Sequence, residues 1–355
     1  MRTILEFFIG GVLAYVLSVI VTPLVSKLSV KLHLVDYPNY RKVHRNPIPL
    51  IGGIVIVCIS ILTGCIMQAV FNKEIFIIMT GAVILFILGA IDDKKDVKAQ
   101  HKLFIQLCIS FVMALYGIRI TSLFGFLGIY ELPVYGQYVI TVLLITGAVN
   151  SFNLMDGVDG LAGIIALSGF TFLLLSSLYS HHIMLAKMSI ILIGCLISFL
   201  KYNFSEHQKI FLGDSGSLFL GFLLVSLGIY CLRYDFEKEQ KTQLLYFLFV
   251  FMLPVFDFIR VCIGRMIKRI SPFTADRTHL HHYMTEIGLT PKKIGFSILL
   301  IHLSLLVTAY LLVSFNINLV FVICITAVLS YYKILHMIRT FNIWKHKIKE
   351  METSF

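Results

Sequence analysis

Long apolar stretches separated by short breaks of Gly, Pro and charge account for most of this chain. They lie near 4–26, 50–71, 75–91, 103–119, 137–152, 160–179, 183–200, 215–232, 243–264, 294–313 and 318–338. A helix needs about 20 apolar residues to cross the hydrocarbon layer of a bilayer, so the pattern predicts about 11 transmembrane helices. The first stretch begins almost at Met1 and has no small-residue cleavage pattern, which predicts a retained span. Between the fourth and fifth spans, residues 120–136 alternate apolar and polar positions around Gly and Pro and predict a short hairpin. The expected fold is an all-α polytopic integral membrane protein, one membrane-embedded domain over 1–355 with a basic tail at 333–355.

Composition narrows the class. Of 355 residues 58% are apolar and 14% charged, with mean hydropathy +0.89, which excludes a soluble fold. The seven cysteines form no C-x-x-C, so neither a zinc site nor a disulfide framework is signalled. A net charge of +11 raises nucleic acid as a partner. The basic residues are instead distributed by side: 22 of the 30 Lys and Arg fall in alternate loops and the C-terminal tail. The positive-inside rule puts those loops and the C-terminus in the cytoplasm and the N-terminus outside. Asp36, Asp92, Asp93, Asp96, Asp156, Asp159, Asp214 and Asp276 share that cytoplasmic face, so the active site is expected there.

Four polar constellations stand in these loops. Asp92-Asp93-Lys94-Lys95-Asp96 ends the third span, and two adjacent carboxylates require a cation or basic partner. In Asn150-Ser-Phe-Asn153-Leu-Met-Asp156-Gly-Val-Asp159-Gly160, if the segment is helical, i, i+3 spacing sets Asp156 and Asp159 on one face, ready for a divalent ion or a polar ligand. Phe211-Leu-Gly213-Asp214-Ser215-Gly216-Ser217 opens the next span, where Asp214 or Ser215 suits an N-cap and the helix N–H groups suit phosphate. Thr278-His279-Leu280-His281-His282 lies in the most basic loop, and imidazoles beside arginines suit a diphosphate. Two weaker features are the Arg41–Gly53 segment and Asp257, an intramembrane carboxylate able to pair with Arg260. Carboxylates on a basic background suit Mg²⁺ and phosphates, with a lipid phosphate as the natural nucleophile at a bilayer surface. Transport is the competing reading, but it calls for charges near the midplane of several helices, and only Asp257 is deep.

The ordered motifs R-K-x-H-x-x-P-x-P-x-x-G-G, D-D-x-x-D, N-x-x-N-x-x-D-G-x-D-G-L, F-L-G-D-S-G-S, P-x-x-D and H-L-H-H resemble those of the polyprenyl-phosphate N-acetylhexosamine-1-phosphate transferases across nearly the whole chain. The resemblance implies a multi-pass enzyme of the bacterial inner membrane in which undecaprenyl phosphate attacks the β-phosphate of a UDP-N-acetylhexosamine and releases UMP, with Mg²⁺ or alternatively Mn²⁺. Nucleic acid is not an expected partner, and a homodimer is admitted. By motif position, Asp92 positions or deprotonates the lipid phosphate, Asp93 supports it or the metal, and Asp214 is the foremost metal ligand. Asp156 and Asp159 bind metal or nucleotide, and Asn153 positions them. Lys42, His44 and Arg45 line the nucleotide entrance, Phe211 contacts substrate, Asp257 borders the prenyl groove, and His281 and His282, with His279, contact the diphosphate. The H-H-H-F-E and T-P-T-M-G-G segments of the peptidoglycan-precursor branch do not occur. The resemblance therefore favours UDP-GlcNAc and a role in starting O-antigen, teichoic-acid or capsule-type glycans, with other UDP-HexNAc donors and UDP-MurNAc-pentapeptide as alternatives.

Overall fold

The computed structural model describes residues 2–38, 46–67, 72–233, 240–271, 278–312 and 315–353. Each apolar stretch contributes a helix among the described residues. In chain order these are α1 (Arg2–Lys31), α2 (Gly52–Ile66), α3 (Lys73–Lys95), α4 (Ala99–Leu115), α5 (Val134–Leu154), α6 (Leu161–Tyr179), α7 (Ile183–Asn203), α8 (Gly213–Arg233) and α9 (Gln240–Ile267). The short α10 (Leu280–Glu286), α11 (Pro291–Leu311) and α12 (Ile317–Thr353) complete the set. Among the described residues eight helices are long and apolar enough to cross a membrane; α2 and α4 are shorter apolar helices. The protein is a multi-pass membrane protein.

The core is organised around α8. Its apolar window is 94% buried, against 28% for that of α1, because α8 is wrapped by α2, α3, α5 and α9. Phe219, Phe222, Leu223 and Leu224 are fully enclosed there. The outer helices turn Phe8, Leu24, Ile84, Leu143, Leu175, Val307 and Val322 outward. An apolar surface of that extent suits lipid as solvent, where a helix satisfies its own backbone polar groups.

The expected hairpin is present: β3 (Ser122–Phe126) pairs antiparallel with β4 (Ile129–Glu131). A second small ribbon was not expected. β1 (Val35–Asp36) pairs antiparallel with β2 (Ile48–Pro49), and Leu50 then forms a parallel bridge with Phe211. Through it Phe211 N–H donates to Pro49 O, Gly52 N–H to Phe211 O, and Gly53 N–H to Leu212 O, each at 2.9 Å. This stitches the start of α2 to the start of α8. The segment 333–353, expected as a basic tail, continues α12 as unbroken helix. At 1.5 Å per residue, a helix of 37 residues is about 55 Å long, well beyond a hydrocarbon layer of about 30 Å.

Candidate active site

Polar contacts draw the end of α3, the start of α4, the end of α5 and the start of α8 to one place. Gly89 is the reason α3 comes so near α8. A Cβ on Gly89 would stand 2.4 Å from Asp214 O and 2.5 Å from Ser215 Cα, so only a bare backbone fits. One turn further on, Asp92 and Asp93 leave α3 in different directions and do different things.

Asp93 accepts Asp214 N–H at 2.7 Å on one carboxylate oxygen and Ser215 N–H at 3.1 Å on the other. It thus caps the N-terminus of α8 from a neighbouring helix, the position the sequence suggested for Asp214 or Ser215 themselves. Gly213 makes this approach feasible: its φ is +75°, and a Cβ there would lie 2.6 Å from Asp93 Oδ2. Asp93 was expected as a catalytic or metal carboxylate; each of its oxygens accepts one backbone N–H, which makes it part of the frame that holds the start of α8. Replacing it with Ala is expected to cost about 1–2 kcal/mol of stability, as for a lost N-cap, while Asp93→Asn keeps part of the cap. Thermal unfolding of the three proteins in one detergent checks that order, and equal midpoints for wild type and Asp93→Ala would contradict the capping role.

Asp92, 8% exposed, accepts Val97 N–H at 2.6 Å and pairs with the Lys102 ammonium. The same Lys102 Nζ lies 2.9 Å from Asp214 Oδ2. One cation thereby joins carboxylates of α3 and α8. Asp156, in the 3₁₀ turn Met155–Gly157 after α5, accepts a hydrogen bond from Gly213 N–H and lies within electrostatic range of Asp93, Asp159 and Asp214. Asp159 pairs with Lys209 at 2.6 Å, and Lys209 Nζ also stands 5.5 Å from the Phe211 ring centroid. Asn153 accepts from Ser217 Oγ, linking the second motif to the third.

Asp257, expected at the prenyl groove, is 1% exposed and accepts from Arg260 Nη2 at 2.9 Å, His279 Nδ1 at 2.8 Å and Leu280 N–H at 3.1 Å. The anticipated Asp257–Arg260 pair exists, and it anchors the beginning of α10. His279 is bound by that anchor. His281, 4% exposed, brings Nε2 to 3.0 Å of where a Gly157 Cβ would stand, so the histidine segment abuts the Asp156 loop. His282 lies beside it, ring centroids 4.2 Å apart. Burial, with the adjacent charges of His282 and His279, pushes the His281 pKa down to about 3. It is a neutral imidazole at neutral pH, suited to donating one N–H.

The structure thus joins Asp92, Asp93, Asp156, Asp214 and Asn153 in one cluster, with Asp159, Phe211 and His281 around it. Lys42, His44 and Arg45 lie outside the described residues. Lys102 and Lys209 are groups the sequence reading did not single out. Each is one basic residue among many on the basic side of the chain, and no local motif separates a bridging lysine from a topogenic one.

Among the described residues no three His, Cys, Asp or Glu side chains stand together in ligating geometry. The donor chemistry nonetheless fits a hard divalent cation. Asp92 and Asp214 converge on a single ammonium, and small divalent ions commonly take one or two carboxylates and complete their shell with phosphate and water oxygens.

Carboxylates, lysines and a histidine helix gathered at the ends of apolar helices define a membrane enzyme built for phosphate chemistry. Residues 75–232 match the model of glycosyl transferase family 4. The chain is 31% identical over 305 residues to a probable undecaprenyl-phosphate N-acetylglucosaminyl 1-phosphate transferase of Bacillus subtilis, covering 84% of this chain and 83% of that one. It is 30% identical to the undecaprenyl-phosphate alpha-N-acetylglucosaminyl 1-phosphate transferase of Yersinia pestis, over 75% of this chain and 73% of the relative. The Escherichia coli K12 protein of the same name is 28% identical over the same shares. The chain belongs to glycosyl transferase family 4 and is a phospho-sugar transferase, which displaces the transport reading.

Proposed function

We propose that this enzyme transfers GlcNAc-1-phosphate from UDP-GlcNAc to undecaprenyl phosphate, forming undecaprenyl-diphosphate-GlcNAc and UMP in a Mg²⁺-dependent reaction. The observation that carries the reading is the convergence of Asp92 and Asp214 on Lys102 at the ends of membrane helices. An acidic pair already organised around a cation suits a site that must bring two phosphorylated substrates together against their mutual repulsion. The names of the relatives support the donor and the lipid.

In the reaction, an oxygen of the lipid phosphate forms a bond to the donor's β-phosphorus while the bond from that phosphorus to the bridging oxygen breaks, and the electron pair leaves with UMP. Asp92 sits at the membrane end of α3, where it orients the lipid phosphate and takes its proton if one is present. Lys102 keeps Asp92 and Asp214 apart from direct repulsion and offers its ammonium to a phosphoryl oxygen. Asp214 and Asp156 would hold Mg²⁺, with Asp92 in reach. The ion, when bound, supplies neutralisation of charge on the phosphoryl oxygens. Asp159 with Lys209 and Phe211 flanks the nucleotide side, and neutral His281 donates an N–H to the diphosphate. Asp93 and Asp257 position these groups and touch no substrate.

The same reading sets eleven spans in the inner membrane as a single domain, with the N-terminus outside and the site and α12 extension on the cytoplasmic side. The product starts a cell-surface glycan of the O-antigen, teichoic-acid or capsule type. The test is UMP release by the purified protein with undecaprenyl phosphate and Mg²⁺ against UDP-GlcNAc, UDP-GalNAc and UDP-MurNAc-pentapeptide. Lipid-dependent release with UDP-GlcNAc is expected; release only with another donor overturns the sugar, and no release with any donor overturns the reaction.

A further inference from the structure

The histidine helix α10 is seven residues long, too short to hold a fixed orientation by its own hydrogen bonds. Asp257 fastens its first turn. Its other contacts come from α12, whose extension beyond Tyr332 the family reading leaves without a task. Tyr331 OH lies 3.0 Å from Ser297 Oγ and donates weakly to Met284 Sδ at 3.7 Å, and Tyr332 OH donates to Thr278 O at 3.4 Å. The Tyr332 ring also carries the Arg260 guanidinium 4.1 Å from its centroid, and Arg260 is itself a partner of Asp257. Two turns later Arg339 forms an ion pair with Glu286 and stacks 4.5 Å from the Tyr283 ring centroid. His336 completes the contact, edge-on to Tyr283 at 6.4 Å.

From these contacts we propose that Arg339 is a positioning residue for the histidine helix, acting through Glu286 and Tyr283 to keep His281 against the Asp156 loop. The proposal rests on the reading that His281 meets the diphosphate of the donor. Tyr283 and Glu286 are one helical turn apart on α10, so a guanidinium that grips both fixes the rotation of that helix about its axis as well as its distance from α12. Arg339 and Glu286 are about one-third exposed, at 30% and 39%, and pairs of that kind add little to folding stability. Their effect falls on orientation.

The experiment uses the full chain in detergent with undecaprenyl phosphate, Mg²⁺ and the donor that wild type accepts. Arg339→Gln and Glu286→Gln are each expected to raise the donor KM about tenfold, the scale of a small misplacement of a binding group, with an unchanged thermal midpoint. Arg339→Lys, which keeps the charge and loses the planar stack, should fall between. The exchange Arg339→Glu with Glu286→Arg restores the ion pair without the Tyr283 contact and should recover part of the loss, as Arg339→Lys does. Diethyl pyrocarbonate modification of His281, read by mass spectrometry, supplies a measure independent of turnover: slow in wild type, faster in Arg339→Gln, intermediate in the exchange. Wild-type KM together with a wild-type modification rate in both single variants overturns the proposal, as does a lowered midpoint with unchanged KM. Should wild type accept no donor, the reaction reading fails by itself, and the modification series still decides whether Arg339 holds His281.

Discussion

Replacing Asp214 with alanine is expected to lower UMP release by about 10³-fold or more, the several kcal/mol that a metal-supported phosphoryl transfer loses with its chief carboxylate. Asp214 stands in the first turn of the most deeply buried helix, and its backbone N–H is fixed by Asp93 while its side chain meets Lys102. The backbone half of this arrangement survives the substitution, since Asp93 caps main-chain N–H groups that alanine still provides. The protein should therefore remain folded and inactive, with Lys102 left to Asp92 alone. Asp214→Asn should lose nearly as much, because it keeps the shape and removes the charge. The check is turnover across a Mg²⁺ titration alongside size-exclusion behaviour; full Mg²⁺-dependent turnover in Asp214→Ala would make the metal assignment wrong.

Gly89→Ala is expected to cut kcat/KM by about 10²-fold and to destabilise by about 1–3 kcal/mol. Helix propensity alone forecasts the opposite sign, since Ala exceeds Gly by about 1 kcal/mol in a helix interior. The steric term wins here because the atoms a Cβ would meet, at 2.4–2.5 Å, are the backbone of Asp214 and Ser215, which cannot rotate aside. Instead α3 must move away from α8, carrying Asp92 and Asp93 off the Asp214 end. Gly64 is the internal control: beyond its own helix backbone, no atom of the described residues lies within 4 Å of where its Cβ would stand, so Gly64→Ala should be neutral or slightly stabilising. Thermal midpoints and steady-state kinetics of the two variants decide the matter, and a Gly89→Ala protein as stable and active as wild type would refute the close-packing account.

Much of this was legible because a membrane imposes strong rules. Spans must be apolar over about 20 residues, so element type and rough bounds follow from local composition. Charge bias then groups Asp92, Asp156, Asp214 and His281 on one side before any coordinate is known. The individual roles were not legible in the same way. Asp92 and Asp93 are chemically identical neighbours, and only the 100° turn between successive helix positions sends one to Lys102 and the other to the α8 N–H groups. For Asp257 the sequence offered both a functional acid and a pair with Arg260, and only the structure adds His279 and Leu280 N–H as further partners.

By itself the sequence determined the membrane class, the helical elements, the hairpin at 122–131 and the set of motifs from which a site is assembled, since these depend on hydropathy and spacing within short windows. Only the tertiary structure decided which carboxylate meets which cation, that Lys102 and Lys209 belong to the site, and that α12 reaches back to the histidine helix. Those pairings join residues far apart along the chain, such as Lys102 with Asp214 and Glu286 with Arg339. They are set by how closely helices can approach, and that distance depends on side-chain volume at the crossings, above all the missing one at Gly89.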